Sequence, residues 1–496
     1  MIGRPGEPRA AVFLIPGSPM VSIAQPQPNA SVLRHSDMIV RELSALAEPG
    51  TVLASIEARR AFETDALTAY RCMPLAVLLP KTTAEVSRLL AYCNANEIKV
   101  IPRGSGTSLS GGALPTEDAV VLSLSRMSKV LEIDLENRFA RVEAGMTNQA
   151  ISEAVAPDYF YAPDPSSQLA CSIGGNIAMN SGGAHCLRYG VTTQNLLGVK
   201  MVLMNGEIIE LGGPHLDAPG YDLLGLLVGS EGQLGVVTEA TVRILRKAEG
   251  ARPILLGFAS SEAAGGCVSS IIAAGLTPVA IEFMDRPAIK VCEDYAKAGY
   301  PLDVEAMLII EVEGAEPEIE AQLNIIQGMA RQFNPKAVRI SRSEAESAAI
   351  WKGRKAAFSA IGRISDYVCM DGTIPLSSLS ATLTEIGRIC SQAGFQVANI
   401  FHAGDGNLHP LILYNANAPG ELEQVERCGA DILAYCVKVG GCLTGEHGVG
   451  IEKRDLMTLQ FSTVDLAQQM RLKTVFDPHW LLNPSKVFPL EGRVAA

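Results

Sequence analysis

Pro102-Arg103-Gly104-Ser105-Gly106-Thr107-Ser108-Leu109-Ser110-Gly111-Gly112 follows a short strand-like run, Lys99 to Pro102. Two familiar readings fail. No Gly-Lys-Ser/Thr closes the loop, so it is not of the Walker type. The third glycine comes too late for a dinucleotide G-x-G-x-x-G opening a helix, and Pro115 follows. A run of glycines and hydroxyls nevertheless exposes successive backbone N–H groups. Such a nest binds a pyrophosphate without basic side chains. Alone, the stretch reads equally as an ordinary surface loop.

Two further blocks of the same texture shift that balance. Ala162-Pro163-Asp164-Pro165-Ser166-Ser167 leads to Gly174-Gly175-Asn176, then Asn180-Ser181-Gly182-Gly183 and Arg188-Tyr189-Gly190. Gly229-Ser230-Glu231-Gly232 follows, with Gly235 and Val236 opening a β-rich run. Three such clusters in one region read as the wall of a single long, phosphate-bearing ligand.

The rest of the chain bounds the possibilities. Its 496 residues set a prior of about three domains. With 41 Lys and Arg against 53 Asp and Glu, the net charge is −12, which argues against nucleic-acid binding. Hydrophobic residues at 48% and charged residues at 19% allow large cores. The 46 glycines are about 9% of the chain against a usual ~7%. Eleven cysteines, an odd number with no C-x-x-C, read as reduced thiols in a packed interior; Cys428, Cys436 and Cys442 fit no common zinc or iron–sulfur spacing. No apolar run reaches the ~20 residues of a spanning helix. Ala10 to Ile15 resembles a signal peptide only briefly before Pro16, Pro19, Pro26 and Pro28; residues 1–33 are expected to be a disordered extension.

Thr82-x-x-Glu85 is a capping box, with Val86, Leu89, Leu90 and Cys93 on one helical face. Residues 119–124, 129–135 and 138–144 read as strands, 195–211 as a hairpin turned at Asn205-Gly206, and 234–246 as a β-rich run. Past Arg252, strands near 278–284, 305–313, 337–341, 366–372, 396–402 and 409–414 alternate with helices near 316–333, 343–361, 377–394 and 420–439. The expected fold class is α+β, the second part carrying helices on one face of an antiparallel sheet. The expected organisation is 34–249, 250–440 and a C-terminal segment 441–496.

The three glycine blocks resemble, in order, the FAD domain of the vanillyl-alcohol oxidase (PCMH) type. The resemblance runs from about residue 36 to the C-terminus and is strongest to the FAD-binding subunits of bacterial glycolate oxidases, among the FAD-linked D-2-hydroxyacid dehydrogenases. It implies a ferredoxin-like α+β cap and a C-terminal helical return to the flavin. It implies that Arg103, Gly104, Ser105, Gly106, Thr107, Ser108, Gly111 and Gly112 hold the FAD pyrophosphate. Pro163, Asp164, Ser167, Gly174, Gly175, Asn176, Asn180, Gly182, Gly183, Arg188, Tyr189 and Gly190 form the second wall. Glu231, Gly232, Gly235 and Val236 form the third, and Asn483 and Lys486 belong to the C-terminal return. No flavin-linking His lies in the first loop, so FAD is expected to be non-covalent. His185, in the second block, is a weak alternative attachment point.

Four of the seven histidines, at 402, 409, 447 and 479, lie in the last hundred residues. A two-residue turn on Asp405-Gly406 would pair 402 with 409 across a ladder, Cβ atoms about 4.5–5.5 Å apart. Pro410 implies an edge strand or an early strand end. Glu446 and His447 stand together in Thr444-Gly445-Glu446-His447-Gly448-Val449-Gly450. Two histidines and a carboxylate form a catalytic metal site for zinc, iron or manganese, or else are turn residues with satisfied polar heads. The resemblance implies a divalent metal on His402, His409 and Glu446, with His447 as base. Arg354 offers a guanidinium for a substrate carboxylate, as the resemblance implies, while Lys352 and Lys355 read as a solvated basic face. Asn407 either orients substrate or simply follows a turn. Phe358 and Met370 stand where relatives acting on 2-hydroxyglutarate carry polar residues, which argues for a small monocarboxylate such as glycolate or D-lactate.

The expected activity is FAD-dependent oxidation of a small 2-hydroxyacid, glycolate to glyoxylate first. The chain has no iron–sulfur motif. Electrons are therefore expected to pass to a quinone or to an iron–sulfur subunit, in a complex with a second flavin-type chain, rather than to NAD. The expected location is the cytoplasm, with peripheral membrane association through the partner. The rivals are a stand-alone D-lactate dehydrogenase, a metal-dependent hydrolase without flavin, and a non-catalytic flavin-binding subunit, which the intact His/Glu cluster opposes.

Overall fold

The computed structural model describes residues 23, 26–215 and 220–490. Half of the capping box at Thr82 forms: its hydroxyl accepts from Glu85 N at 3.2 Å and opens the helix Thr83–Ala95, while the Glu85 carboxylate accepts from Lys81 N, Glu48 N and Thr51 Oγ1 instead of Thr82 N. Val86, Leu89, Leu90 and Cys93 are all buried, as the i, i+3, i+4, i+7 spacing requires. They belong to a core shared by two sheets. One sheet has the order Val52–Leu53, Ala76–Leu78, Ala119–Ser123, Lys99–Arg103, its last three strands parallel. The other is antiparallel, in the order Val130–Asp134, Phe139–Glu143, Val236–Arg243, Leu196–Val202, Ile208–Gly212. The Asn205-Gly206 hairpin forms as read, with Val202 opposite Ile208.

The second unit is one seven-stranded antiparallel sheet. Its order is Ala337–Ile340, Gly250–Phe258, Ala306–Gly314, Ala280–Asp285, Gln396–His402, Pro410–Tyr414, Asp366–Cys369. Helices cover both of its faces, not one as the sequence reading expected. Leu308 and Ile310 face a core with the helices Ser261–Ala273, Glu316–Ala330, Leu379–Ala393 and Glu421–Lys438. Met307 and Ile309 face another with Arg286–Ala296, Glu344–Lys355 and Ala357–Ile361. The unbroken apolar run Ala306 to Ile310 is the physical signature of a strand buried on both sides.

Two local expectations are also revised. His402 does not pair with His409. The ladder sets Asn399 opposite Pro410, and an isolated bridge sets His402 opposite Asn407. After His402 the chain leaves the hairpin, because Ala403 and Gly404 donate to Ile281 O on the neighbouring strand. The register is thereby displaced by two residues, which keeps both histidines on one face. Pro410 opens its strand, as a proline can, but that strand is interior to the sheet.

At the N-terminus, the helix Ala30–Arg34 begins inside the stretch expected to be disordered. Asn29 N donates to the buried Asp118, and Ile23 packs with Leu114 and Ile451. Residues 1–22, 24 and 25, including the signal-like run, lie outside the described residues. At the C-terminus, the helix Thr463–Phe476 leads back to the first unit. Leu482 bridges Val100 in parallel, and Asn483 N donates to Val100 O at 2.8 Å. The buried Lys473 ammonium fixes this return on Gln233 O, Leu482 O and Asp477. All eleven cysteines are free thiols. No helix among the described residues is long and apolar enough to cross a membrane.

Candidate active site

One cavity of about 480 Å³ runs between the two units. The three glycine clusters line it through Arg103–Ser108, Gly112, Ser167, Gly174, Gly175, Asn176, Glu231, Gly232, Gly235 and Val236, and Asn483 of the return joins them. At its other end stand His409, Glu446 and His447. Gly106 adopts φ +73°, and a Cβ there would lie 2.0 Å from Arg103 Nη2, so the first loop curls over the guanidinium as only glycine allows. Arg103 itself is fixed by Thr64 O at 2.7 Å.

Several residues assigned to this wall do other work. Gly111 packs on Ile451, and Asn180 caps the helix Ile173–Met179 in the left-handed region. Pro163 O accepts from Asn148, Gly190 takes φ +76° after the short helix Cys186–Tyr189, and Lys486 is buried beside Pro484 O, none of them on the cavity lining. Gly182 serves the other end: a Cβ would lie 2.9 Å from Glu446 Oε2. Asp164, Gly183, Arg188 and Tyr189 belong to the contact between the two units. Gly183 lies against the Asp164 backbone, and Asp164 Oδ2 holds His185 Nδ1 at 2.6 Å. His185 Nε2 lies 3.0 Å from Glu311 of the second sheet, whose other oxygen accepts from Trp351. Arg188 and Tyr189 both bind Glu313. His185 thus sits at the contact between the two units, off the cavity lining. Burial lowers its pKa, but Asp164 and Glu311 outweigh that and push it up to about 10.

Glu231 and Asn483 tie the two ends of the cavity together. The Glu231 carboxylate, buried, accepts from Val449 N at 2.6 Å and Gly450 N at 2.8 Å. Asn483 Nδ2 donates to Glu231 O and Gly112 O.

The charged end is built from side chains. His402 Nδ1 is 2.7 Å from Glu282 Oε1, and its Nε2 is 3.4 Å from Glu446 Oε1. His409 Nε2 lies 3.3 Å from the same Glu446 oxygen and 3.5 Å from Asp371 Oδ1, without a hydrogen bond to either. The His402 and His409 rings are perpendicular, 5.2 Å apart; His409 and His447 stack at 4.9 Å. Ligand atoms of His402, His409 and Glu446 all lie within 4.8 Å of one another, and so do those of Asp371, His409 and His447. Burial opposes the ionisation of Glu282, yet Arg354 and His402 hold its carboxyl at about 2. Glu446 is likewise lowered to about 2 against burial, by its histidine neighbours. Burial and His409 hold His447 near 4, against the pull of Asp371 and Glu446, so its imidazole is neutral at pH 7.

Three expectations change here. Arg354 does not line the cavity: its Nε and Nη2 bind the buried Glu282 at 2.7 and 2.6 Å. Asn407 lies off the lining too, donating Nδ2 to Asp371 Oδ1 at 3.1 Å. Met370 is turned away into the core against Gly429, whereas Phe358 lines the cavity with Ser359, Tyr367 and Lys355. Lys352 and Lys355 are exposed, as the sequence reading expected, and Lys355 stands at the cavity mouth.

The geometry defines a class: a two-unit protein whose backbone-built, glycine-lined cleft opens on a buried His/Glu cluster. The description "FAD binding domain" matches residues 74–212, and "FAD linked oxidases, C-terminal domain" matches residues 247–487. The chain is 49% identical over 436 residues to glycolate oxidase subunit GlcD of Escherichia coli (strain K12), covering 88% of this chain and 87% of that one. It is 30% identical over 453 residues to a D-lactate dehydrogenase of Anaerostipes hadrus, covering 88% and 95%. The solved 4-ethylphenol oxidase from Gulosibacter chungangensis shares the fold at a TM-score of 0.77 and 16% identity, over 94% of this chain and 99% of that one. The chain belongs to the FAD-linked oxidase family that includes glycolate oxidase subunit GlcD, and it is an FAD-linked oxidoreductase.

Proposed function

We propose that this chain oxidises a small 2-hydroxyacid, glycolate to glyoxylate first, and passes the electrons to a quinone or to an iron–sulfur subunit rather than to NAD. The observation that carries this reading is the single cavity joining three glycine clusters to His409, Glu446 and His447. The likeness to GlcD supports glycolate and a multi-subunit complex; the likeness to D-lactate dehydrogenases keeps D-lactate as the second substrate. The FAD-binding domain disfavours a flavin-free hydrolase.

FAD held by the glycine walls supplies the hydride acceptor. The metal-ligand test is chemical. His409 keeps both ring nitrogens buried and unbonded, and three carboxylates surround the imidazoles. That donor set fits a divalent ion, Zn, Fe or Mn, on His402, His409 and Glu446, which would polarise the substrate hydroxyl. Glu282 orients His402 through Nδ1 and leaves Nε2 for the ligand side. His447, neutral and with Nδ1 unpartnered, accepts the hydroxyl proton. Arg354, locked on Glu282 and off the cavity lining, acts through that carboxylate and so orients His402. Phe358 closes the cavity against a long side chain.

The purified protein should be yellow, with flavin bands near ~375 and ~450 nm. Under anaerobic conditions glycolate should bleach it faster than D-lactate does. Dialysis against a chelator should stop the bleaching without releasing FAD, and Zn²⁺ or Mn²⁺ should restore it. A colourless protein, or a yellow one that neither acid bleaches, refutes the proposal.

A further inference from the structure

We infer that Asp371 is the positioning residue that aims both the carboxylate ligand and the base of this site, and that it is not itself a ligand. The inference rests on the functional reading above.

Asp371 follows the strand Asp366–Cys369 and is completely buried. Its two oxygens face a crowd of donors. Thr444 Oγ1 donates at 2.5 Å, Gly445 N at 3.0 Å, Glu446 N at 3.2 Å and His447 N at 2.9 Å, and Asn407 Nδ2 at 3.1 Å. A carboxylate offers about four lone-pair sites. These five donors saturate it.

That saturation discriminates between the two groups of ligand atoms described above. In the Asp371–His409–His447 set, Oδ2 takes the four donors of the 444–447 turn, and Oδ1, which faces His409, takes Asn407 Nδ2 and a share of Glu446 N, so both oxygens are already engaged. In the His402–His409–Glu446 set, Glu446 Oε1 faces the Nε2 atoms of His402 and His409. The metal seat is therefore the second set, and Asp371 is the anchor behind it.

The anchored segment is short and specific. Consecutive N–H groups from Gly445 to His447 converge on one anion, as in a backbone nest. Fixing them fixes the Cα–Cβ directions of Glu446 and His447, one toward His402 and His409, the other stacked on His409. Thr444 also accepts from Gly448 N, which closes the turn. Every partner is a donor, so only a carboxylate satisfies them all; an amide would set an N–H against N–H groups.

The test uses the full-length, FAD-loaded protein and Mn²⁺ alone as the metal probe. In Asp371→Asn, Mn²⁺ affinity and kcat for glycolate bleaching should each fall roughly 10–100-fold, at unchanged flavin occupancy. Thr444→Ala, which removes one donor and keeps the carboxylate, should shift both in the same direction by less. It also carries the test if the Asn variant does not fold. Flavin occupancy lost in step with Mn²⁺ affinity in both variants would assign Asp371 to general folding and overturn the inference. So would variants that match the wild type in both measurements. Wild-type protein that takes up no Mn²⁺ would overturn the metal seat itself, a result distinct from any failure of the variants.

Discussion

The two ends of the cavity solve the problem of binding a charged partner by opposite means. The FAD end is made of backbone: glycines and hydroxyls, with Arg103 the one cation named in its first loop. The other end is made of buried side-chain charge: Glu282 holds Arg354 and His402, His402 faces Glu446, and Asp371 is held by the N–H groups of the 445–447 turn. A backbone nest costs little desolvation and tolerates pH. A buried charge cluster is stable only while complete, since removing one partner strands the rest. The first end should therefore fail by steric crowding and the second by loss of charge.

Four substitutions break or sharpen that contrast. His447→Ala should lower kcat by ~10²–10⁴-fold with the flavin bands intact; unimpaired bleaching would place the base elsewhere. Glu282→Gln strands Arg354 and His402 and should cost ~3–5 kcal/mol of unfolding free energy, measured by denaturant titration. The same carboxyl carries a pH signature. Its folded pKa of about 2 lies below the ordinary value of 4.5, so its contribution is full above that value and is lost as pH falls through about 2. Melting temperature between pH 5 and 3 should thus drop more steeply in wild type than in the variant. Gly106→Ala crowds Arg103 and should cost ~1–3 kcal/mol in FAD retention, leaving the acid profile alone. Tyr189→Phe removes only the hydroxyl on Glu313, with a stability loss of ~0.5–1.5 kcal/mol. Weakened FAD binding in that variant would return Tyr189 to the cofactor wall.

Much of the architecture was legible because its signals are local and repeated. The Thr82 cap, the Asn205-Gly206 hairpin and the alternation past residue 278 each survive in the structure, although Glu85 accepts from Lys81 N, Glu48 N and Thr51 and so leaves the capping box half formed. The His402–His409 register was not, because an Asp-Gly pair promises a tight hairpin while Ile281, far away in sequence, captures the chain first. Asp164, Arg188 and Tyr189 were misassigned for a related reason. They sit beside glycine clusters in sequence, but their partners Glu311 and Glu313 come from the other unit. Glu282 was overlooked although it announces itself: a lone carboxylate within the buried run Ala280 to Met284 needs a buried cation. Asp371, ahead of Gly372, looks like a turn residue, and nothing local reveals its five donors.

The C-terminal return carries a temporal consequence. Leu482 and Asn483 complete the edge beside Val100, and Asn483 fastens the first glycine loop to the third. On the ribosome the earlier glycine loops emerge hundreds of residues before that fastener exists. The same segment also fills the first core through Leu481 and Leu482, so the core and the latch of the cleft are completed together, by the chain's last strand-like segment.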